Sequence, residues 1–183
     1  VDGILVDLGV SSYQIDTKER GFSTKYDDQV LDMRMDKYNL LTAKEILNKY
    51  SDTQLKHIFS NFGEVHNTNQ IVNEIIGNRK NKEIETVGDL KNIIRKYAIN
   101  GKENKYYSKI FQALRIEVNN EINALKTMLY NAFEILKKKG RFVVISYHSI
   151  EDRIVKNYFK SGNIEGKVNE DFFGNQIKYF KII

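Results

Sequence analysis

The sequence predicts an α/β protein in which a parallel sheet is interrupted by a helical domain. Residues 3–8 form a short apolar run of the kind found in strands that are buried on both faces. Residues 141–146 form a second such run, and the long stretch between the two contains amphipathic helix patterns with no strand signal. The order strand, helices, long helix, strand, helix is typical of half of a doubly wound parallel sheet.

The helical stretch divides into short elements. Thr86 and Asp89 have the spacing of a capping box, and the Asn100-Gly101 pair is a stop signal. Helices are predicted over residues 43–49, 52–61, 69–78 and 87–97.

The longest periodic segment follows this block. Apolar residues spaced three or four apart predict one helix from Phe111 to Leu136, which three lysines and Gly140 would end. After the strand at 141–146, Ser149 and Asp152 form a second capping-box pattern that predicts the start of another helix. A weaker strand candidate is "IKYFKII" at residues 177–183.

These elements suggest two domains. Residues 1–15 and 107–183 would form a partial α/β core, and residues 16–106 a helical insertion. Because the first and last apolar runs touch the chain ends, we expect the chain to be a piece of a longer protein, truncated at both ends.

Composition narrows the class of protein. The chain has no cysteine and only three widely separated histidines, so we expect no structural metal. The net charge of +5 suits a polyanionic partner, although a small lysine excess is also common in ordinary proteins. No run approaches the roughly 20 apolar residues of a membrane span, and the start resembles no targeting peptide, so we expect a cytoplasmic location with no membrane partner.

Two residues follow predicted strands, where open α/β sheets bind ligands. Asp7 lies in "DLGVSSYQ" and His148 in "SYHSIEDR". Asp7 has the alternative of a simple turn or cap, and His148 that of merely preceding a helix.

Polar residues elsewhere suggest contacts with nucleic acid. Gln112, Arg115 and Asn119 form a stripe on the long helix, which is either a solvated face or the border of a cleft that binds phosphates or base edges. In "LDMRMD" the alternating Leu31, Met33 and Met35 are expected to pack while Arg34 points away. Arg20 and Arg34 are further candidates for holding RNA.

Five segments together resemble the RsmH family, formerly called MraW, of bacterial S-adenosylmethionine-dependent methyltransferases. They occur in the family's order over residues 1 to about 160. The segments are "DGILVDLGVSSYQID", "ERGFS", "LDMRMD", "FQALRIEVNNE" and "GRFVVISYHSIEDRIVK".

This resemblance implies a class I methyltransferase fold, which is Rossmann-like, interrupted by an all-α insertion domain. It implies methylation of the exocyclic N4 of a cytosine in the decoding region of 16S rRNA within the small ribosomal subunit. In the family, the residues matching Asp7 and Gln14 contact the methyl donor, S-adenosylmethionine. The family's glycine-rich donor loop precedes the first residue here, and its usual proline is replaced by Tyr13.

The lone pair of the cytosine amine is delocalised into the ring, which makes the nitrogen a poor nucleophile. The enzyme must therefore hold this nitrogen in line with the donor's methyl group and accept hydrogen bonds from the amine. Asp7 is the first candidate for this role, and His148 is a second candidate proton acceptor. Arg20, Arg34, Arg115 and Asn119 are the candidates for holding RNA. We expect residues 1–183 alone to be inactive.

Two other functions remain open from the sequence. A non-catalytic RNA-binding or ribosome-assembly module would also suit the basic charge. A nucleotide-dependent oxidoreductase could use a similar sheet, although no residue pattern here supports a nicotinamide site. The oligomeric state, including a homodimer, is open as well.

Overall fold

The structure, a computed structural model, describes residues 1–177 and 179–182. Within them the chain forms two strands and eight α-helices, with single 3-10 turns at Lys18–Arg20 and Arg95–Tyr97. The elements are β1 (Gly3–Asp7), α1 (Ser12–Asp16), α2 (Ala43–Lys49), α3 (Asp52–Asn61), α4 (Thr68–Arg79), α5 (Val87–Ile94), α6 (Glu103–Asn119), α7 (Glu121–Ile135), β2 (Arg141–Ile145) and α8 (Ser149–Ser161).

The chain divides into two compact units. The first comprises residues 1–9 and the chain from Ile122 onward, and the second comprises residues 10–121. The expected boundaries were at residues 15 and 107. Helix α6 belongs to the second unit because it packs against α2 and α3.

In the first unit, β1 and β2 pair in parallel, from Gly3 opposite Arg141 to Asp7 opposite Ile145. Leu8 extends the ladder by donating its N–H to the carbonyl of Ile145, at 3.0 Å. Both strands form where the apolar runs predict them.

The expectation that these strands are buried on both faces is wrong for this chain. Phe142 and Val144 on one face pack around Leu129 and Tyr158, from α7 and α8. On the other face Leu5 is 70% exposed and Val143 is 49% exposed. Because successive side chains of a strand alternate between faces, the strand pair has one covered and one open face.

The second unit is all-helical in its regular elements and contains the larger core. Its fully buried side chains include Leu31, Phe59, Ile75, Leu90 and Leu114. The predicted helices at 43–49 and 52–61 are confirmed with the same bounds. Those at 69–78 and 87–97 are confirmed with small shifts, as α4 and as α5 followed by a 3-10 turn.

The single helix predicted from Phe111 to Leu136 is wrong. It is two helices, α6 and α7, separated at Asn120, which has the left-handed backbone angles φ 50° and ψ 38°. The N–H of Asn120 donates to the carbonyls of Ile116 and Glu117, which ends α6. Apolar spacing continues across the break, so periodicity alone could not reveal it.

At the end of the chain, the strand predicted at 177–183 does not form in residues 177 and 179–182, while Lys178 and Ile183 lie outside the described residues. Among the described residues, none of the helices combines the length and apolar character that a membrane crossing requires.

Candidate active site at the strand ends

The carboxyl end of β1 places an exposed carboxylate beside a tyrosine. Asp7 is the last residue of β1 and lies opposite Ile145, the last residue of β2. Two residues beyond β2, the Tyr147 hydroxyl donates a hydrogen bond to Asp7 Oδ1 at 2.8 Å. This hydrogen bond and the negative charge of Asp7 raise the pKa of Tyr147 above its ordinary value. The two strands therefore deliver both side chains to one place.

The turn after β1 requires glycine where the tyrosine ring packs. Gly9 has φ of +89°, a conformation that L-residues with a side chain rarely adopt. A Cβ at this position would lie 3.2 Å from Cδ2 of Tyr147. Glycine thus permits both the turn and the close approach of the ring.

His148 is the N-cap of α8, so the capping box predicted from Ser149 begins one residue too late. Its Nδ1 accepts the backbone N–H of Glu151 at 3.4 Å, which satisfies a donor of the first helical turn. Its Nε2 is buried and lies 3.1 Å from Glu151 Oε1, without the alignment of a hydrogen bond. The sequence left open that His148 merely precedes a helix, and the structure gives it the N-cap position of α8.

Glu151 links this cap to the tyrosine. Glu151 is only 4% exposed, and its Oε2 accepts a hydrogen bond from the backbone N–H of Tyr147 at 3.1 Å. The same carboxylate faces the imidazole of His148. One buried acid therefore fixes the backbone of the segment that follows β2.

Gln14, the other predicted donor contact, belongs to the second unit. It forms a capping box with Ser11 at the start of α1, where Gln14 Oε1 accepts the N–H of Ser11 at 2.9 Å. Within the described part of the chain, its side-chain NH₂ has no hydrogen-bond partner. That group can donate to a ligand while the oxygen holds the turn.

The predicted RNA-binding arginines of the second unit bind protein groups. The guanidinium of Arg20 donates to the carbonyls of Arg34 and Met35, at 2.6 and 3.2 Å. Arg34 makes two parallel hydrogen bonds of 2.8 Å to Asp32 and also donates to the carbonyls of Lys37 and Asn39.

The ion pair changes the acidity of Asp32. Burial acts to raise the pKa of Asp32, but the side-chain and backbone hydrogen bonds from Arg34 outweigh it and hold the pKa below the ordinary value. Asp32 is therefore ionised in the folded protein at neutral pH. Leu31 and Met33 pack as expected, Met35 is half-buried, and Arg34 turns back onto its own loop.

The polar stripe on α6 holds other segments in place. Asn119 accepts the N–H of Met35 at 2.6 Å and donates to the carbonyl of Met33 at 2.8 Å. Arg115 makes two hydrogen bonds to Glu121, at 2.9 and 3.0 Å, and Gln112 donates to the carbonyl of Phe62. All three side chains of the stripe thus make hydrogen bonds to other groups of the protein.

Sequence reasoning missed four residues that shape these two regions. Asp32 and Asn39 complete the Arg34 loop, and Tyr147 and Glu151 complete the strand-end cluster. Asp32 stands two residues from Arg34 in "LDMRMD", a spacing that could have suggested the pair. The contact of Tyr147 with Asp7 spans 140 positions and has no local signal.

Parallel strands with a hydrogen-bonded carboxylate at their carboxyl end define an α/β protein whose candidate site lies at the strand ends. The sequence profile of the MraW methylase family matches residues 1–178. The chain belongs to this family.

Relatives of known name agree with this assignment. The chain is 49% identical over all of its 183 residues to ribosomal RNA small subunit methyltransferase H of Cytophaga hutchinsonii, and spans 61% of that protein. The protein of the same name from Phocaeicola vulgatus is also 49% identical over the whole chain, which spans 60% of it. The one from Karelsulcia muelleri is 51% identical over 97% of the chain, which spans 58% of that relative. The chain therefore spans about 60% of the length of these relatives.

Proposed function

We propose that the protein containing this chain is a methyltransferase that uses S-adenosylmethionine to methylate the exocyclic N4 of a cytosine in the decoding region of 16S rRNA. The observation that carries this proposal is the family match over residues 1–178, with relatives named as methyltransferases of small-subunit ribosomal RNA. Its finer parts, the N4 atom and the decoding region, follow the resemblance described from the sequence motifs. A class I methyltransferase fold fits the mixed α/β structure with its parallel strands.

The strand-end cluster offers groups that fit a positively charged donor and an amine. Asp7 is exposed, and only its Oδ1 is occupied by the Tyr147 hydroxyl. Within the described residues, Oδ2 has no hydrogen-bond donor. A carboxylate with one fixed and one available oxygen can accept an N–H or O–H from a ligand.

S-adenosylmethionine, when bound, supplies an electrophilic methyl group on a sulfonium centre. Asp7 Oδ2 accepts a hydrogen bond from the exocyclic amine, which orients the nitrogen and stabilises the positive charge that develops on it. Transfer would form the nitrogen–methyl bond as the methyl carbon–sulfur bond breaks, with S-adenosylhomocysteine as the leaving group. The proton that the nitrogen then loses would pass to Asp7 Oδ2, its proposed acceptor. Gln14 would contribute its free side-chain NH₂ to binding the donor.

His148 and the four RNA candidates stay predictions. The imidazole of His148 caps α8, which supports a role in placing the segment after β2. Direct RNA contact by Arg20, Arg34, Arg115 and Asn119 stays a prediction, and each of the four also binds groups of the second unit.

The reaction can be tested with the full-length protein, S-adenosylmethionine and small ribosomal subunits from cells that lack this modification. Nucleoside mass spectrometry of the rRNA should then show N4-methylcytidine. Donor binding without this product would contradict the proposed substrate, and loss of both would favour a non-catalytic module.

The role of Asp7 is tested by Asp7→Asn, which keeps the size of the side chain and removes its charge. We expect methyl transfer to fall about 100-fold or more, in the range observed when one group that stabilises transition-state charge is lost. Asp2→Asn is the matched control, because Asp2 precedes the same strand and its carboxylate pairs only with Lys137 among the described residues. Equal activity of the two variants would contradict the role of Asp7.

A further inference from the structure

We propose that Tyr147 is a positioning residue that sets the orientation of the Asp7 carboxylate through its hydroxyl group. The inference rests on the proposed function of Asp7. The contact joins Tyr147 Oη to Asp7 Oδ1 at 2.8 Å, a normal distance for an O–H group donating to a carboxylate. With Oδ1 held, rotation of the carboxylate is restricted and Oδ2 points in a defined direction.

The tyrosine is itself held at both of its ends. Its backbone N–H donates to Glu151 Oε2 at 3.1 Å, and Glu151 is buried in the first turn of α8. Its ring lies against Gly9, where any Cβ would come within 3.2 Å of the ring. A hydroxyl whose residue is held at its backbone N–H and whose ring lies against Gly9 restrains its acceptor more than a freely rotating one does.

The geometry also separates this role from simple reinforcement of the sheet. β1 and β2 are already joined by their backbone ladder from Gly3 to Asp7, which Leu8 continues. The Tyr147 side chain is added beyond the last ladder pair and is largely exposed, so one hydroxyl contributes little to the stability of the strands. Its effect is therefore expected on the orientation of Asp7.

The test is a double-mutant cycle in the full-length protein. It combines Tyr147→Phe and Asp7→Asn, each alone and together, and measures kcat, KM for the rRNA substrate and the donor dissociation constant. We expect Tyr147→Phe to lower kcat about 3- to 10-fold, as one hydrogen bond allows, with KM changed less than twofold. In the Asp7→Asn background the same change should alter kcat less than twofold, because the carboxylate it positions has gone.

A readout independent of activity accompanies the cycle. The ionisation of Tyr147 is followed by tyrosinate absorbance between neutral and high pH. Because Asp7 raises the pKa of Tyr147, Asp7→Asn should move one tyrosine titration to lower pH, and Tyr147→Phe should remove that titration. Tyr38→Phe is the control, since Tyr38 is 93% exposed and lies in the other unit.

The outcomes distinguish the two proposals. If Asp7→Asn is as active as the unaltered protein, the proposed role of Asp7 fails. If Asp7→Asn is impaired while Tyr147→Phe is fully active, or if Tyr147→Phe lowers kcat by the same factor in both backgrounds, the inference about Tyr147 fails alone. Absence of a tyrosine titration that responds to Asp7→Asn would also overturn it.

Discussion

Arg34, a predicted RNA contact, also binds groups of its own loop. Its guanidinium binds the carboxylate of Asp32 on one side and the carbonyls of Lys37 and Asn39 on the other. Asn39 in turn donates to the carbonyl of Val118 at the end of α6. An irregular loop leaves backbone carbonyls without partners, and a planar side chain with five N–H donors can satisfy several at once.

We therefore expect Arg34→Ala to lower the free energy of unfolding by about 1–3 kcal/mol, because the partly buried Asp32 carboxylate and two carbonyls lose the guanidinium, while only the backbone N–H of residue 34 still donates to Asp32. Urea unfolding followed by circular dichroism would measure this. Lys37→Ala is the control in the same loop, since Arg34 binds the Lys37 carbonyl, which the substitution keeps. If the two variants are equally stable and only Arg34→Ala loses RNA affinity, direct RNA contact is the better account.

The same pair predicts a pH dependence. The pKa of Asp32 is lower in the folded protein than its ordinary value of 3.8, so its ionisation stabilises the fold above that pH. This contribution is lost as the pH falls through the lowered folded pKa. The stability difference between the unaltered protein and Arg34→Ala should consequently shrink in acid, and a difference that is constant with pH would contradict the assignment to Asp32.

At the scale of elements, the break between α6 and α7 decides the division of the chain. Asn120 adopts left-handed angles that asparagine tolerates better than most residues with a side chain. Helix α6 then lies in the helical unit, while nearly all of α7 lies in the unit of the strands.

The free energy of unfolding of Asn120→Ala should be about 1–2 kcal/mol lower than that of Asn120→Gly, the cost of placing a residue with a Cβ in this conformation. Asn120→Gly is the matched variant, because glycine adopts these angles without a steric penalty. Thermal unfolding of both variants measures the effect. If alanine and glycine give the same midpoint, the left-handed conformation does not contribute to stability.

At the scale of the whole molecule, the two units have separate cores of unequal size. The larger cluster of buried side chains lies wholly within residues 31–118, and the smaller one gathers Leu125, Leu129, Val155 and Tyr158 around the strand pair. The open strand face with Leu5 and Val143 belongs to the unit with the smaller core. Burial of apolar surface is the main source of folding stability. The helical unit, which has the larger core, should therefore be better able to fold by itself than the unit of the strands.

We expect the segment 10–121 to fold when it is produced alone. It should show a helical circular dichroism spectrum and cooperative thermal unfolding. Phe59→Ala, which removes a fully buried ring, should lower the free energy of unfolding by about 3–5 kcal/mol. The cooperative thermal transition should then disappear or move to a much lower temperature. A segment that is helical but melts without cooperativity in both forms would show that its core depends on the rest of the chain.

The sequence determined those features that depend on neighbouring residues. Apolar runs located β1 and β2, amphipathic patterns located α2, α3 and α5, a capping box marked the start of α5, and an ordered set of motifs pointed to the methyltransferase family. These signals are local because strand alternation, helix periodicity and capping each involve residues within a few positions of one another.

Only the tertiary structure decided which distant groups meet. It paired Tyr147 with Asp7, turned Arg34 onto Asp32 and the loop carbonyls, and joined Asn119 to the backbone of Met33 and Met35. It also left one face of the strand pair open, which the apolar character of the strands could not predict. The physical reason is that a side chain's partners are set by packing between elements far apart in the chain, whereas its own neighbours fix only the element in which it lies.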